Sequence, residues 1–200
     1  TGSPRYPGDI AICHDTIVAV GQVDESVKRE CRTRLDMYGK VTCPGFIDMH
    51  SHNDLAVIHN PINAPKISQG ITTEVIGNCG ISFAPASDQG LGELHKLYSS
   101  VAGALDQTHT WHSVAEYLDV VDQKTSTNLV FLVGHAALRY EAMGMSACAA
   151  AREQVSTMVD MTREAMEQGA WGVSTGLTYV PGYFSTTDEL TQIACTVAKS

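Results

Sequence analysis

The sequence predicts an α/β fold: the first half of a TIM-like (β/α)8 barrel over residues 44–200, preceded by part of a small β subdomain over residues 1–43. Three observations predict it. After residue 43, apolar runs alternate with helical stretches, the pattern of strand–helix units around a parallel sheet. Four such units can be counted, half of what a closed eight-stranded barrel requires. Polar or glycine-rich residues follow the runs, which would gather them at one rim. An open doubly wound sheet is the alternative, and the polar residues ending three successive strands favour the barrel.

The elements follow in order. Residues 9–20, DIAICHDTIVAV, read as two short strands around a polar turn at His14 and Asp15, and residues 34–41 read as a third strand. Strands this short need a neighbour to cover one face. The barrel strands are expected at 41–49, 71–76, 129–133 and 171–174. Val155, Met158, Val159, Thr162, Ala165 and Met166 recur at spacings of three and four, predicting a helix that stops at Gly169. The last helix opens at Thr186, with Glu189 three residues on, as a capping box; Ile193 and Val197 face inward. Before them, residues 84–124 read as a long glycine-bearing loop closed by a helix over 111–122. Thr1 to Pro4 is turn chemistry without a strand to turn from, and Lys199-Ser200 ends a helix without a closing element, so the reading is a fragment.

Composition narrows the function. A hydrophobic share of 44% with 18% charged residues describes a globular chain. The formal charge of -9 and the absence of a Lys/Arg cluster argue against nucleic acid as a partner. No apolar run reaches the roughly 18 residues of a membrane span, and no charged-then-apolar leader precedes residue 9, so a cytoplasmic location is expected. The six cysteines, at 13, 31, 43, 79, 148 and 195, show no close pairing and suggest neither a disulfide framework nor a zinc knuckle.

The strongest local signal is PGFIDMHSH at 44–52, an apolar strand ending in His-x-His. Residues i and i+2 of a strand share a face, so His50 and His52 can reach one ion where the strand opens into a loop. Asp48 shares that face and could orient the site. Taken alone, the motif fits two solvated loop histidines equally well. The next strand runs into GNCG at 77–80, placing the Cys79 thiol beyond the end of a neighbouring strand between flexible glycines. A lone cysteine there is more often buried packing; beside His-x-His at the same rim it reads as a thiolate ligand. His135 ends the third strand at that rim, as a ligand, a donor to a ligand or a substrate contact. His95, His109 and His112 read as solvated or capping residues, and His14 and His59 carry no signal.

GVSTG at 172–176 matches the spacing of a serine nucleophile elbow. An elbow needs a helix starting directly after the serine, and Pro181-Gly182 delays one until about residue 186. Ser174 is therefore expected in a strand end and substrate-side loop, not as a nucleophile.

Taken together, PGFIDMHSH at 44–52, PKISQGITTEVIGNCGIS at 65–82, LVFLVGHAALR at 129–139 and GAWGVSTGLTYVPG at 169–182 resemble the N-acyl-D-amino-acid deacylases, or D-aminoacylases, of the amidohydrolase superfamily. The resemblance spans the chain, with GNCGIS after FIDxHxH as its most specific part. It implies a metal-dependent hydrolase barrel behind part of a small β-sandwich. It implies one or two Zn2+ ions held by His50, His52 and Cys79, and hydrolysis of a small N-acyl-D-amino acid to a carboxylate and a D-amino acid. Relatives that open cyclic amides carry a carboxylated lysine on the fourth strand. Residues 171–174 hold none, and Cys79 matches the branch in which a cysteine does that job. Two further histidines and a general-base aspartate are expected beyond Ser200. Tyr179 is expected to line the acyl or side-chain pocket, while Thr178 stands where a bulkier apolar residue is usual. The alternatives are another amidohydrolase, acting on an N-acyl-D-glutamate, a D-peptide or a hydantoin-like ring, and a non-catalytic metal-binding barrel that meets a partner through residues 84–112.

Overall fold

The computed structural model describes residues 4–105, 110–122 and 124–200; His109 lies outside them. The chain divides into two compact units, Thr1–Pro44 and Gly45–Ser200.

In the first unit, β1 (Asp9–Cys13) and β2 (Thr16–Gly21) form the antiparallel hairpin expected over residues 9–20. His14 turns the corner at φ 55°. A helical turn, α1 (Glu25–Glu30), follows under an Asp24 cap that accepts from Ser26 N at 2.7 Å. The strand expected over residues 34–41 does not form. Asp36 accepts from Tyr38 N at 2.9 Å, Lys40 N donates to Met37 O at 2.9 Å, and Gly39 has φ 74°. These local bonds make a turn and compete with strand pairing, leaving Leu35, Tyr38 and Val41 exposed.

In the second unit, β3 (Phe46–Asp48), β4 (Ile71–Ile76), β5 (Asn128–Gly134) and β6 (Gly172–Ser174) form one parallel sheet in the order β3-β4-β5-β6. Each strand pairs with its successor in sequence, without the reversal of order at which a doubly wound sheet switches direction. The sheet is the curled half-barrel that the sequence predicts. β4 occupies its expected residues. β3 is shorter than expected, because Pro44 has no N–H for the ladder and the chain bends beyond Asp48, whose carboxylate accepts from His50 N at 3.1 Å.

Helices α2 (Ala56–His59) and α3 (Ala64–Ile67) connect β3 to β4. The glycine-bearing loop expected after residue 84 is largely a helix, α4 (Asp88–Ala102), capped by the Ser87 hydroxyl. Leu91, Leu94, Tyr98 and Ala102 bury one face of it. The helix runs through Gly90 and Gly92 without a break. α5 (Val114–Val121) starts at a capping box of Ser113 and Glu116. α6 (His135–Met143), α7 (Arg152–Glu167) and α8 (Thr187–Val197) complete the unit. α7 carries the predicted stripe and ends before Gly169, at φ 108°.

Ile76, Phe131 and Val133 pack with Leu55, Leu94, Leu138, Met158 and Ile193 in the core, each such side chain contributing about 1.5–3 kcal/mol by burial. Two aromatic residues tie loops to this core through their polar tips: Trp111 Nε1 donates to Phe83 O at 2.6 Å and the Tyr117 hydroxyl to Asp54 O at 2.8 Å. Among the described residues, no helix is long and apolar enough to cross a membrane.

Candidate metal centre

β3 and β4 bring their carboxyl-terminal residues together. One ligand atom from each of His50, His52 and Cys79 lies within 4.8 Å of the others. His50 Nε2 is 3.1 Å from Cys79 Sγ, and the two imidazoles meet edge to face with centroids 5.3 Å apart. Separations of this size suit ligands sharing an ion at about 2.0–2.3 Å. His52 Nδ1 is buried without a hydrogen-bond partner. Burial, followed by the neighbouring His50, lowers the His52 pKa and favours the neutral imidazole, the form that binds metals.

Cys79 sits in a single 3₁₀ turn, Asn78–Gly80, bounded by Gly77. Gly77, Cys79 and Gly80 all adopt positive φ, at 76°, 56° and 72°. A non-glycine residue pays for that conformation and keeps it where its surroundings fix the backbone. Asp54 accepts from Gly77 N at 2.8 Å, and Asn78 Nδ2 donates to Val75 O at 2.7 Å. Asp54 is fully buried, and burial pushes its carboxyl up to about 7.

Asp48 does not reach toward the imidazoles. Its carboxylate accepts from the backbone N of His50 and pairs with Lys66, which also lies 3.2 Å from the buried Glu74. The hydrogen bond from Lys66, set against burial, lowers the Asp48 pKa. Asp48 therefore fixes the course of the chain into His50 while its charge is matched from below.

His135 is not brought to the three-residue cluster. It opens α6, fully buried, and its Nε2 donates to Glu189 Oε1 at 2.7 Å. The same carboxylate accepts from Arg139 Nη1 at 2.7 and 2.6 Å, and Arg139 Nη2 donates to Cys148 O at 2.8 Å. This removes half of the capping box expected for α8: the Thr186 hydroxyl caps Glu189 N, but the Glu189 side chain turns inward to the ion pair. Tyr179, half-buried, donates to Cys79 O and meets Tyr98 edge to face at 6.2 Å. Of the histidines expected to cap or face solvent, His95 Nε2 accepts from Leu105 N at 3.0 Å and His112 Nδ1 lies 3.3 Å from Ala86 O.

Lys66 and Arg139 carry no signal in the sequence as parts of this region. Asp54 has only a weak one, continuing the two-residue spacing of His50 and His52.

Residues 35–199 match the sequence model of the Amidohydrolase family. The chain belongs to the amidohydrolase family. This amidohydrolase is 35% identical over 196 residues to a D-aminoacylase of Alcaligenes xylosoxydans xylosoxydans, a match covering 96% of the chain and 38% of that relative. To the N-acyl-D-glutamate deacylase of the same organism it is 37% identical over 194 residues, with the same two coverages. Its fold matches that of a D-aminoacylase with a binuclear metal centre at a TM-score of 0.85 and 32% identity, over 100% of this chain and 40% of that one. It matches the N-acyl-D-glutamate deacylase of Bordetella bronchiseptica, solved with zinc and a phosphonate inhibitor, at 0.82 and 36% identity, with the same coverages. The amidohydrolase chain thus spans about two fifths of the length of these relatives.

Proposed function

We propose that this amidohydrolase chain contributes His50, His52 and Cys79 as ligands in a zinc-dependent enzyme that hydrolyses the amide bond of N-acyl-D-amino acids to a carboxylate and a free D-amino acid. The observation that carries the reading is the convergence of two imidazoles and a thiol within 4.8 Å at the ends of two neighbouring strands. Nitrogen and thiolate donors suit Zn2+, as one ion or two, and the orphaned His52 Nδ1 is a buried donor atom whose desolvation such an ion would offset.

When bound, zinc lowers the pKa of a coordinated water toward about 7 and polarises an amide carbonyl. The chain's own residues prepare the site. Asp48 holds the His50 backbone, the hydroxyl of Tyr179 holds the Cys79 carbonyl, and the 176–182 loop lines the substrate side. The general base that accepts the water proton and returns it to the leaving amine is assigned to an aspartate beyond Ser200, in the part of the relatives that this chain does not span. Further histidine ligands are assigned there too. In this reading His135 supports the end of β5 through Glu189 and is not itself a ligand, residues 1–43 form part of the β-sandwich, and the enzyme is cytoplasmic.

Relatives named for D-glutamate and D-aspartate substrates, at 37% and 34% identity, stand beside the D-aminoacylase at 35%, so the side-chain preference is read from the assay. The test is hydrolysis by the full-length protein of a panel of N-acetyl-D- and N-acetyl-L-amino acids, neutral and acidic, before and after chelation. D-selective hydrolysis lost with the metal and restored by zinc is expected. Activity that survives metal removal overturns the reading.

A further inference from the structure

The GVSTG segment has no chemical task in the function above, yet its serine has two partners on the turn that carries Cys79. Ser174 Oγ donates to Gly77 O and accepts from Gly80 N at 2.8 Å. The two bonds bracket Cys79 from either side, using both the hydroxyl proton and an acceptor lone pair. From the same stretch of chain, the Tyr179 hydroxyl donates to Cys79 O. The backbones also lie in close contact: a side chain on Gly80 would place its Cβ 2.7 Å from Gly176 N, and one on Gly176 would strike Cys79 O. Of the four residues 77–80 held in this way, three have positive φ, Cys79 among them, a conformation that lasts where the surroundings over-determine it.

We propose that Ser174 is a positioning residue for the Cys79 thiol, acting with Tyr179 to hold residues 77–80 in the conformation that sets Sγ beside His50 Nε2, and so coupling the 176–182 loop to the metal ligand. The serine of an elbow-like motif here serves as a backbone clamp on the turn after β4, two strands away in the sheet. The proposal rests on the metal-site reading above.

The experiment is Co2+ titration of the full-length, metal-free protein, following the thiolate-to-cobalt charge-transfer band. Wild type shows the band. S174A binds about 10–100-fold more weakly, the range for partners that orient a ligand, with a shifted or weakened band; a loss of general stability alone would leave the band of the bound form unchanged. Wild-type affinity and an unaltered band in S174A overturn the proposal. Should S174A be recovered unfolded, Y179F decides by the same titration: affinity reduced about tenfold or more supports the clamp, and unchanged affinity and band overturn it. Absence of a thiolate band in wild type is a different failure, since it removes Cys79 as a ligand and with it the metal-site reading itself.

Discussion

His50 Nε2 and Cys79 Sγ lie 3.1 Å apart although 29 residues separate them in the chain. The distance follows from two parallel neighbours, β3 and β4, with Asp48 opposite Glu74 in the register, so that β4 runs on by the two residues that also carry the chain from Asp48 to His50. Each strand then turns at once: the Asp48 carboxylate bends the chain into His50, and the left-handed turn at Gly77 lifts Cys79 over the strand end.

Removing the thiol tests that geometry. Cys79→Ala in the full-length protein is expected to lower bound zinc and to reduce kcat/KM by about 100-fold or more, because it takes the thiolate out of the proposed ligand set and leaves imidazole ligands to hold the ion more loosely. Metal content by atomic absorption, alongside the rate on an N-acetyl-D-amino acid, checks it. Wild-type zinc content in the variant would remove Cys79 from the ligand set.

The buried ion group of His135, Arg139 and Glu189 makes a separate prediction about stability. All three side chains are inaccessible to solvent, and removing one partner of a buried pair leaves the other charge uncompensated. Glu189→Gln is expected to cost about 3–5 kcal/mol, read as a lowered urea midpoint at neutral pH. A midpoint equal to that of wild type would show that the guanidinium of Arg139 finds enough acceptors without the carboxylate.

The same carboxylate has a pH signature. Burial pushes the Glu189 pKa up, but hydrogen bonds from His135 and Arg139 more than offset it and hold it below its ordinary 4.5. A folded-state value below the unfolded one contributes stability above pH 4.5, and that contribution fades as pH falls through the lowered value. The stability gap between wild type and Glu189→Gln should therefore be constant near neutrality and narrow in acid. Urea unfolding across that range would expose a gap that stays constant or widens.

How much of this was legible depended on how local the cause is. β4 announces itself as an apolar run between Gly70 and Gly77, and His50 with His52 by the two-residue period of a strand, so the sheet and the nearness of these two imidazoles could be read directly. α4 could not, because Gly90 and Gly92 look like loop residues, although the helix runs through both and buries Leu91, Leu94, Tyr98 and Ala102. Glu189 satisfies a local capping pattern, yet its side chain answers to Arg139, 50 residues away. Ser174 matches a catalytic spacing while bonding to Gly80, 94 residues away. The strand expected over residues 34–41 failed for the opposite reason: Asp36 and Gly39 close a turn locally, and the apolar pattern gives no hint of it.

Lys66 supplies the last prediction. Its ammonium pairs with Asp48 and lies 3.2 Å from Glu74, which is wholly buried. Glu74 also accepts from Ser51 Oγ and Thr127 Oγ1, each at 2.9 Å, but these neutral donors cannot balance its charge or separate it from Asp48. Burial lowers the Lys66 pKa and the two carboxylates more than restore it, raising it above its ordinary 10.5, so the stabilisation is complete below pH 10.5 and fades as pH rises through the shifted value. Lys66→Met is expected to cost about 3 kcal/mol at neutral pH by leaving two carboxylates facing each other across the β3–β4 pair. Because Asp48 holds the His50 backbone, the variant should also bind zinc more weakly. Replacing the pair together, as Lys66→Met with Glu74→Leu, removes the wholly buried one of the two carboxylates and leaves only the part-exposed Asp48 unpaired, so it should recover most of the loss. Urea unfolding of the two variants separates the cases: a double variant no more stable than the single one would mean that Glu74 holds its neighbours Ser51, Asn63 and Thr127 by hydrogen bonding, with its charge a minor cost.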